Sequence, residues 1–210
     1  MPTQRRNFIK VMAALSVAAT FNPLQTSAFM VNDIDEKEQF IQAQAKLLKK
    51  YKVSAQSKFV KLDKPSLTLH VLEAGKGEPV LMLHGGGSVA CQFAPLMGTL
   101  QNDFHLFVPD RPGCGLSDMI NYNDVSSFRQ HVVDCVTQLL DNLKLDKVAL
   151  IGNSMGGYWS LLFSLAHPER VSKIVLIGEP AASSPYGSGP FAPPADKNPS
   201  LESITKLYQF

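Results

Sequence analysis

The spacing of hydrophobic and polar residues predicts one helix followed by three short strands. Between Val31 and Tyr51 the apolar residues recur at intervals that favour one face of a helix. The pattern then becomes that of strands, at Lys58–Leu62, Leu67–Glu73 and Pro79–Leu83. The last of these strands is apolar throughout, which is typical of a strand covered on both faces.

Turn residues separate the three strands. Lys64-Pro65 stands between the first and the second, and Gly75-Lys76-Gly77 between the second and the third. The two glycines of the second segment predict a hairpin-type turn.

Helices and strands alternate in the second half of the chain. The predicted elements are a helix at Cys91–Leu100, a strand at His105–Val108, a helix at Ser126–Leu143, a strand at Val148–Ile151, a helix at Ser154–Ala166 and a strand at Lys173–Ile177. This alternation, with short buried strands, predicts an α/β fold built as a three-layer sandwich. Its sheet is mostly parallel, helices cover both faces, and the crossovers are right-handed.

Length and composition divide the chain into four segments. With 210 residues, of which 45% are hydrophobic, it can form one sizeable core. We expect an export signal at 1–28, a helical extension at 29–56, an α/β core at 57–180, and a linker with the start of a further helix at 181–210. The last segment begins rich in Pro, Gly, Ser and Ala, and a helical pattern starts at Leu201.

The first 28 residues have the organisation of a cleavable export signal. Arg5, Arg6 and Lys10 precede a short apolar run from Val11 to Phe21, and small residues follow at Thr26-Ser27-Ala28. The run is too short to cross a bilayer, so no stable membrane span is expected. The arginine pair resembles the twin-arginine signal, with Gln4 where that signal usually has Ser or Thr. The expected location is therefore periplasmic or secreted, and the expected partner is the export machinery.

Charge and side-chain chemistry limit the other partners. The net charge of +2 becomes −1 without the first 28 residues, which gives no reason to expect a nucleic-acid partner. The histidines show no metal-ligand spacing, and no cofactor is implied. Three cysteines in an oxidising compartment allow one disulfide, which the sequence does not assign: Cys91, Cys114 and Cys135.

Ser154 is the candidate nucleophile. It is the centre of Gly152-Asn153-Ser154-Met155-Gly156, a G-x-S-x-G motif that follows one predicted strand and opens a helix. Such a tight turn exposes the serine oxygen and needs glycine two residues before and two after it. Because the serine stands at a helix N-terminus, the Met155 N–H is one candidate oxyanion donor.

A second glycine motif supplies the other oxyanion donor. His84-Gly85-Gly86-Gly87 follows the third strand and has the H-G-G-G form. Its glycines allow close approach of the backbone to a substrate oxygen, and we expect the Gly86 N–H to be the donor, in preference to Gly87. His84 is expected to brace this loop.

Together these motifs resemble the α/β-hydrolase fold family. The segment Pro109–Asp118 is similar to the family's loop after its fourth strand, where Asp110 and Ser117 are expected to brace the turn. His167-Pro168 is similar to the link that follows the nucleophile helix, which makes His167 a helix-end residue rather than the base. The resemblance covers about residues 58–180 and implies a serine acyl-enzyme mechanism on a small-molecule acyl substrate.

Two substrate classes within the family remain open. The segment Asn153–Gly157 is similar to carboxylesterases and to the carbon–carbon-bond hydrolases of aromatic-ring degradation. The latter usually have Pro-Gly-Ala after the glycine run, where this chain has Ser88-Val89-Ala90. Cofactor-free perhydrolysis and a non-catalytic truncated binder are further alternatives.

The resemblance places the catalytic acid and histidine after the serine in chain order. The only histidine after Ser154 is His167. Glu179, at the end of the sixth strand, is a candidate acid, although the family more often places the acid after the seventh strand. We therefore expect a chain that lacks the last strands and most of the cap of the whole fold.

Overall fold

The computed structural model describes residues 34–178. The expected export signal at 1–28, the candidate acid Glu179 and the expected linker at 181–210 lie outside the described residues.

A six-stranded sheet organises this part of the chain. Its strands are β1 (Ala55–Asp63), β2 (Ser66–Gly75), β3 (Glu78–Leu83), β4 (Phe104–Pro109), β5 (Val148–Asn153) and β6 (Val171–Ile177). Their order is β1-β2-β4-β3-β5-β6. The strands from β4 to β6 pair in parallel, whereas β1 and β2 form an antiparallel ribbon at one edge. The expected mostly parallel sheet is confirmed.

Helices cover both faces of the sheet. They are α1 (Ile34–Lys50), α2 (Ala94–Leu100), α3 (Phe128–Asn142) and α4 (Met155–Ala166). One hydrophobic cluster joins α3 and α4 to the sheet and includes the buried residues Leu81, Leu139 and Trp159. A second cluster, on the other face, joins α1 and α2 to the sheet through residues such as Met82 and Met97. Each predicted helix and strand is confirmed within a few residues of its bounds.

The expected hairpin at Gly75-Lys76-Gly77 is wrong. β4 lies between β2 and β3, so these consecutive strands do not pair. The segment instead passes beneath the start of β4, with φ angles of +77° at Gly75 and +126° at Gly77. A Cβ at Gly75 would collide with the carbonyl oxygens of Gln101 and Phe104. The glycines are needed for this close passage, a requirement that local composition does not distinguish from a hairpin.

The predicted helix at Cys91–Leu100 is divided. A 3₁₀ turn covers Ala90–Phe93, and α2 begins at Ala94 with Pro95 in its first turn. Proline is accepted at this position because its missing N–H has no partner in the first turn of a helix. The 3₁₀ turn brings Gln92 and the Ala90 N–H next to the loops that follow β3 and β4.

The three cysteines are free thiols. Cys91 and Cys135 are buried in opposite core clusters, on the two faces of the sheet. Burial raises the pKa of the Cys91 thiol to about 11 and that of Cys135 to about 12. Both thiols therefore stay protonated near neutral pH. None of the helices that the structure describes is long and apolar enough to cross a membrane.

A substitution at Gly75 tests the close passage beneath β4. We expect Gly75→Ala to lower the free energy of unfolding by about 2–3 kcal/mol, because it adds a collision to a positive φ angle. Gly86→Ala is the matched control, since a Cβ there meets nothing within 4 Å. Urea denaturation followed by circular dichroism measures both. Equal losses in the two variants would contradict this reading of the turn.

Candidate active site

Ser154 occupies the tight turn between β5 and α4. Its φ of +49° is one of only three positive values among the non-glycine residues described. Positive φ is costly for a residue with a Cβ and persists only where the surrounding structure imposes it, as it often does at active sites. The residue is half-buried and directly precedes Met155, the first residue of α4. The predicted strand–serine–helix geometry is confirmed.

Two glycines make this turn sterically possible. A Cβ at Gly152 would lie 2.5 Å from the Gly157 Cα and 2.6 Å from the Gly156 carbonyl oxygen. A Cβ at Gly156 would collide with the backbone of Leu83, the last residue of β3. The first collision lies within the turn, as the sequence predicts. The second is with a neighbouring strand, so Gly156 also sets the distance between α4 and the sheet.

Hydrogen bonds fasten the turn to β6. The Ser154 N–H donates to the Ile177 carbonyl at 2.8 Å, and the Asn153 Nδ2 donates to the same oxygen at 3.1 Å. The end of β6 therefore positions the backbone on which the serine hydroxyl is carried.

The glycine loop after β3 packs directly against Ser154. A Cβ at Gly85 would lie 3.4 Å from the Ser154 Cβ and 2.8 Å from the Asn153 Oδ1. Around Gly86 and Gly87 a Cβ would meet nothing within 4 Å. The loop is thus closed against the nucleophile at Gly85 and open at the next two residues, which leaves room for a substrate oxygen.

Gln92 bridges the glycine loop and the serine turn. Its Nε2 donates to the Asn153 Oδ1 at 3.0 Å, and its Oε1 accepts a long hydrogen bond, 3.4 Å, from the Gly85 N–H. One amide side chain thereby links the two backbone segments expected to form the oxyanion hole.

His84 and Arg111 hold the glycine loop from beneath. The His84 Nδ1–H donates to the Gly85 carbonyl at 2.9 Å, and its Nε2 accepts from the Arg111 N–H at 2.9 Å. The Arg111 guanidinium donates to the carbonyls of His84 and Gly85 and lies 5.5 Å from the Trp159 ring centre. The expected bracing role of His84 is confirmed.

Burial affects the pKa of both His84 and Arg111. Burial, together with the nearby Arg111 charge, lowers the pKa of His84 to about 4. Burial also lowers the pKa of Arg111, although guanidinium groups stay charged in proteins. His84 is therefore neutral near pH 7, consistent with one ring nitrogen donating and the other accepting.

Asp110 and Ser117 brace the loop after β4. The Asp110 Oδ1 accepts from the Ala90 N–H at 2.6 Å, and its Oδ2 accepts from the Leu116 N–H at 3.0 Å. The Ser117 hydroxyl donates to the Asp110 carbonyl at 2.6 Å. Both side chains are buried and lie in the loop, as expected of structural residues.

A family model described as "alpha/beta hydrolase fold" matches residues 78–201, which is more than half of the chain. The chain belongs to the α/β hydrolase fold family. This agrees with the sheet order, with the turn at Ser154 and with the glycine loop beside it.

Two curated relatives of this α/β hydrolase are named as hydrolases of 2-hydroxy-6-oxo acids. A 2-hydroxy-6-oxo-6-phenylhexa-2,4-dienoate hydrolase of Burkholderia cepacia is 36% identical over 60% of this chain and 46% of its own length. A 2-hydroxy-6-oxononadienedioate/2-hydroxy-6-oxononatrienedioate hydrolase of Pseudomonas putida is 34% identical over 72% of this chain and 57% of its own. The chain spans about half the length of the curated relatives it matches.

Solved structures share the fold. A carboxylesterase of Bacillus subtilis superposes with a TM-score of 0.61 at 22% identity, covering 70% of this chain and 50% of the esterase. A putative acyltransferase of Salmonella enterica superposes with a TM-score of 0.54 at 27% identity, covering 59% of this chain and 41% of the acyltransferase.

His167 is a helix-end residue in this hydrolase, as predicted. It follows α4, whose 12 residues separate it from Ser154 by about 18 Å at 1.5 Å per residue. Its ring contacts Phe163, and its Nδ1 lies 3.2 Å from the Glu169 carboxylate. Within residues 34–178, no histidine has a hydrogen bond to the Ser154 hydroxyl. No cluster of three metal-ligating side chains is found in the same range.

Sequence reasoning missed Gln92 and the role of Arg111. Gln92 stands in no motif, and only the 3₁₀ turn at Ala90–Phe93 aims its amide at the serine turn. Arg111 belongs to a segment that the family resemblance covers, but an arginine next to Asp110 suggests an exposed ion pair. Its burial against Trp159 and two carbonyls follows from tertiary packing alone.

The neutral state of His84 makes folding pH-dependent. The folded pKa of about 4 lies below the ordinary 6.5, so the unfolded chain takes up a proton that the folded chain excludes. We expect the free energy of unfolding to fall, by on the order of 3 kcal/mol, as the pH decreases from about 6.5 to about 4. Denaturant titrations at several pH values measure this slope.

His84→Gln should flatten the slope, because glutamine does not titrate. Burial also lowers the pKa of His131, so this residue adds to the loss of stability at low pH. The test is therefore the difference between the slopes of the wild-type chain and the His84→Gln variant. His167→Gln, at a more exposed site, is the matched control for the loss of an imidazole. A slope unchanged by His84→Gln would contradict the assignment.

Proposed function

We propose that the chain carries the nucleophile half of a serine hydrolase that acts on carboxylic esters through an acyl-enzyme. The observation that carries this proposal is the strained Ser154, held at φ +49° at the start of α4 with the open Gly86–Gly87 backbone beside it. A strained serine at a helix start, near backbone with open space around it, is an arrangement suited to acyl transfer.

The proposed reaction has two steps. The Ser154 Oγ attacks the ester carbonyl while its proton passes to a general base, and the alcohol leaves. Water then attacks the acyl-serine and releases the acid. The Gly86 and Met155 N–H groups are proposed to donate to the oxyanion in both steps. Residues 34–178 contribute the nucleophile and these donors. The base lies outside them, and Glu179 remains a candidate acid.

A carbon–carbon-bond hydrolase is the second candidate. The curated relatives at 34–36% identity have names that describe dienoate hydrolases, which favours a vinylogous diketone as substrate. Ser154 would attack the ketone carbonyl in the same position. The electrons of the C–C bond would leave on an enolate carbon, which takes up the proton that the base removed from the serine. Ser88-Val89-Ala90, in place of Pro-Gly-Ala, weakens this candidate relative to an ester hydrolase.

Export is part of the proposal. Arg5, Arg6 and Lys10 followed by a short, mildly apolar run support a cleaved signal of the twin-arginine type. The mature protein would then act in the periplasm or outside the cell.

Covalent labelling tests the nucleophile. The chain is incubated with a fluorophosphonate, and the modified peptide is identified by mass spectrometry. We expect an adduct on Ser154 and, in Ser154→Ala, the loss of that adduct together with the residual ester hydrolysis of the chain. Ser160→Ala is a control on the same helix, where the hydroxyl donates to the Gly156 carbonyl. An unmodified Ser154 in a chain with native circular dichroism would contradict the proposal.

Substrate comparison separates the two candidates. We expect kcat/KM for an aryl ester to exceed that for a 2-hydroxy-6-oxo-dienoate, with both activities lost in Ser154→Ala. The reverse preference would establish the carbon–carbon-bond hydrolase. Replacing Ser88-Val89-Ala90 with Pro-Gly-Ala should shift the ratio toward the dienoate if this segment contributes to the choice.

A further inference from the structure

A second serine has the base that Ser154 lacks within the described residues. The Ser57 Oγ lies 2.6 Å from the His70 Nε2, and the His70 Nδ1 lies 2.7 Å from the Asp110 Oδ2. The three side chains come from β1, β2 and the end of β4. Serine, imidazole and carboxylate in this order form a nucleophile–base–orienter relay.

The surrounding hydrogen bonds determine the direction of the relay. Asp110 already accepts from the Ala90 and Leu116 N–H groups, as expected of a carboxylate that acts only as an acceptor. The His70 Nδ1 must then carry the proton that it shares with Asp110. In the neutral ring the Nε2 is left as an acceptor, so the Ser57 hydroxyl donates to it. This is the protonation state in which an imidazole removes a serine proton.

The relay is separate from the site at Ser154. β1 is four strand positions from β5 in the sheet, about 19 Å at 4.8 Å per strand. The proposal made here therefore does not rest on the function proposed for Ser154.

Ser57 is accessible from outside, whereas its base is not. Ser57 is exposed on an edge strand, next to Phe59, whose side chain is 57% exposed. His70 is fully buried beneath these two residues, with its ring 5.4 Å from the Phe59 ring. A reagent can reach the serine oxygen and rest on the Phe59 ring, but it cannot reach the imidazole except through the serine.

One backbone donor, the Ser57 N–H, is directed to the open edge of β1. The N–H groups of Thr68 and His70 donate to side chains of Asp118 and Ser117, away from β1. In an antiparallel ladder, residues whose backbone groups bond the partner strand alternate with residues whose backbone groups point away from it. Leu72, two residues after His70, therefore also directs its N–H away from β1, and Ser57, its partner in the register, directs its N–H away from β2, to the open edge. This N–H is positioned to donate to an oxyanion formed on its own side chain.

We propose that Ser57 is an activated serine that accepts an acyl or phosphonyl group from reagents with good leaving groups and retains it. The Ser57 Oγ forms the new bond, its proton passes to the His70 Nε2, and fluoride or a nitrophenolate departs with the electron pair. The same burial that protects His70 keeps water from its Nε2 once the serine is modified. Modification is therefore stoichiometric, without turnover.

The experiment uses p-nitrophenyl acetate and a fluorophosphonate on the full chain carrying Ser154→Ala. Peptide mapping should show close to one adduct per chain, on Ser57, formed about 100-fold faster than on other exposed serines. Adding Ser57→Ala should abolish the adduct. The matched control, Ser66→Ala, changes an exposed serine of the same β-ribbon and should leave the adduct in place.

Three outcomes would overturn the proposal: no adduct on Ser57 in a chain with native circular dichroism, equal modification of Ser57 and Ser66, or steady release of nitrophenolate that Ser57→Ala removes. The last outcome would mean that water reaches His70 and that Ser57 turns over. Adducts on Ser57 and on Ser154 occur in different peptides, so failure here is distinguishable from failure of the proposed ester hydrolase.

Discussion

The close approach of Gly156 to the carbonyl end of β3 is the constraint on which the candidate site depends. No side chain fits between them, so α4 begins directly against the sheet. Ser154, directly before this helix, has a positive φ, and the glycine loop after β3 packs against its side chain. The strain at Ser154 is maintained because β6 holds the same backbone through two hydrogen bonds to Ile177.

Polar side chains next to this contact position the glycine loop after β3. Arg111 lies among carbonyls and an aromatic ring, His84 is neutral with both nitrogens bonded, and Gln92 spans two loops. Polar groups are costly to bury without partners. His84 and Arg111 bond backbone groups of the loops, and Gln92 bonds the Gly85 N–H and the Asn153 side chain. These hydrogen bonds fix the backbone just before Gly86, where the oxyanion is proposed to form.

Asp110 connects the two serine centres of the molecule. Its carboxylate fixes the loop after β4, which carries Arg111 toward the site at Ser154, and it also orients His70 toward Ser57. The family resemblance predicts only a structural role for Asp110. In this chain Asp110 also orients a histidine that contacts Ser57. The relay needs Ser57 and His70 from the β1–β2 ribbon and Asp110 from the loop after β4, 40 residues beyond His70.

The order of elements, the parallel sheet and Ser154 were predictable from the sequence, because strand and helix periodicity and the two glycine motifs are local signals. The role of His84 was predictable for the same reason. Local signals do not report which strands become neighbours, so the Gly75–Gly77 turn was read as a hairpin although β4 lies between its strands. Gln92, Arg111 and the Ser57–His70–Asp110 relay depend on contacts across 13 to 61 residues of sequence, which only tertiary packing creates.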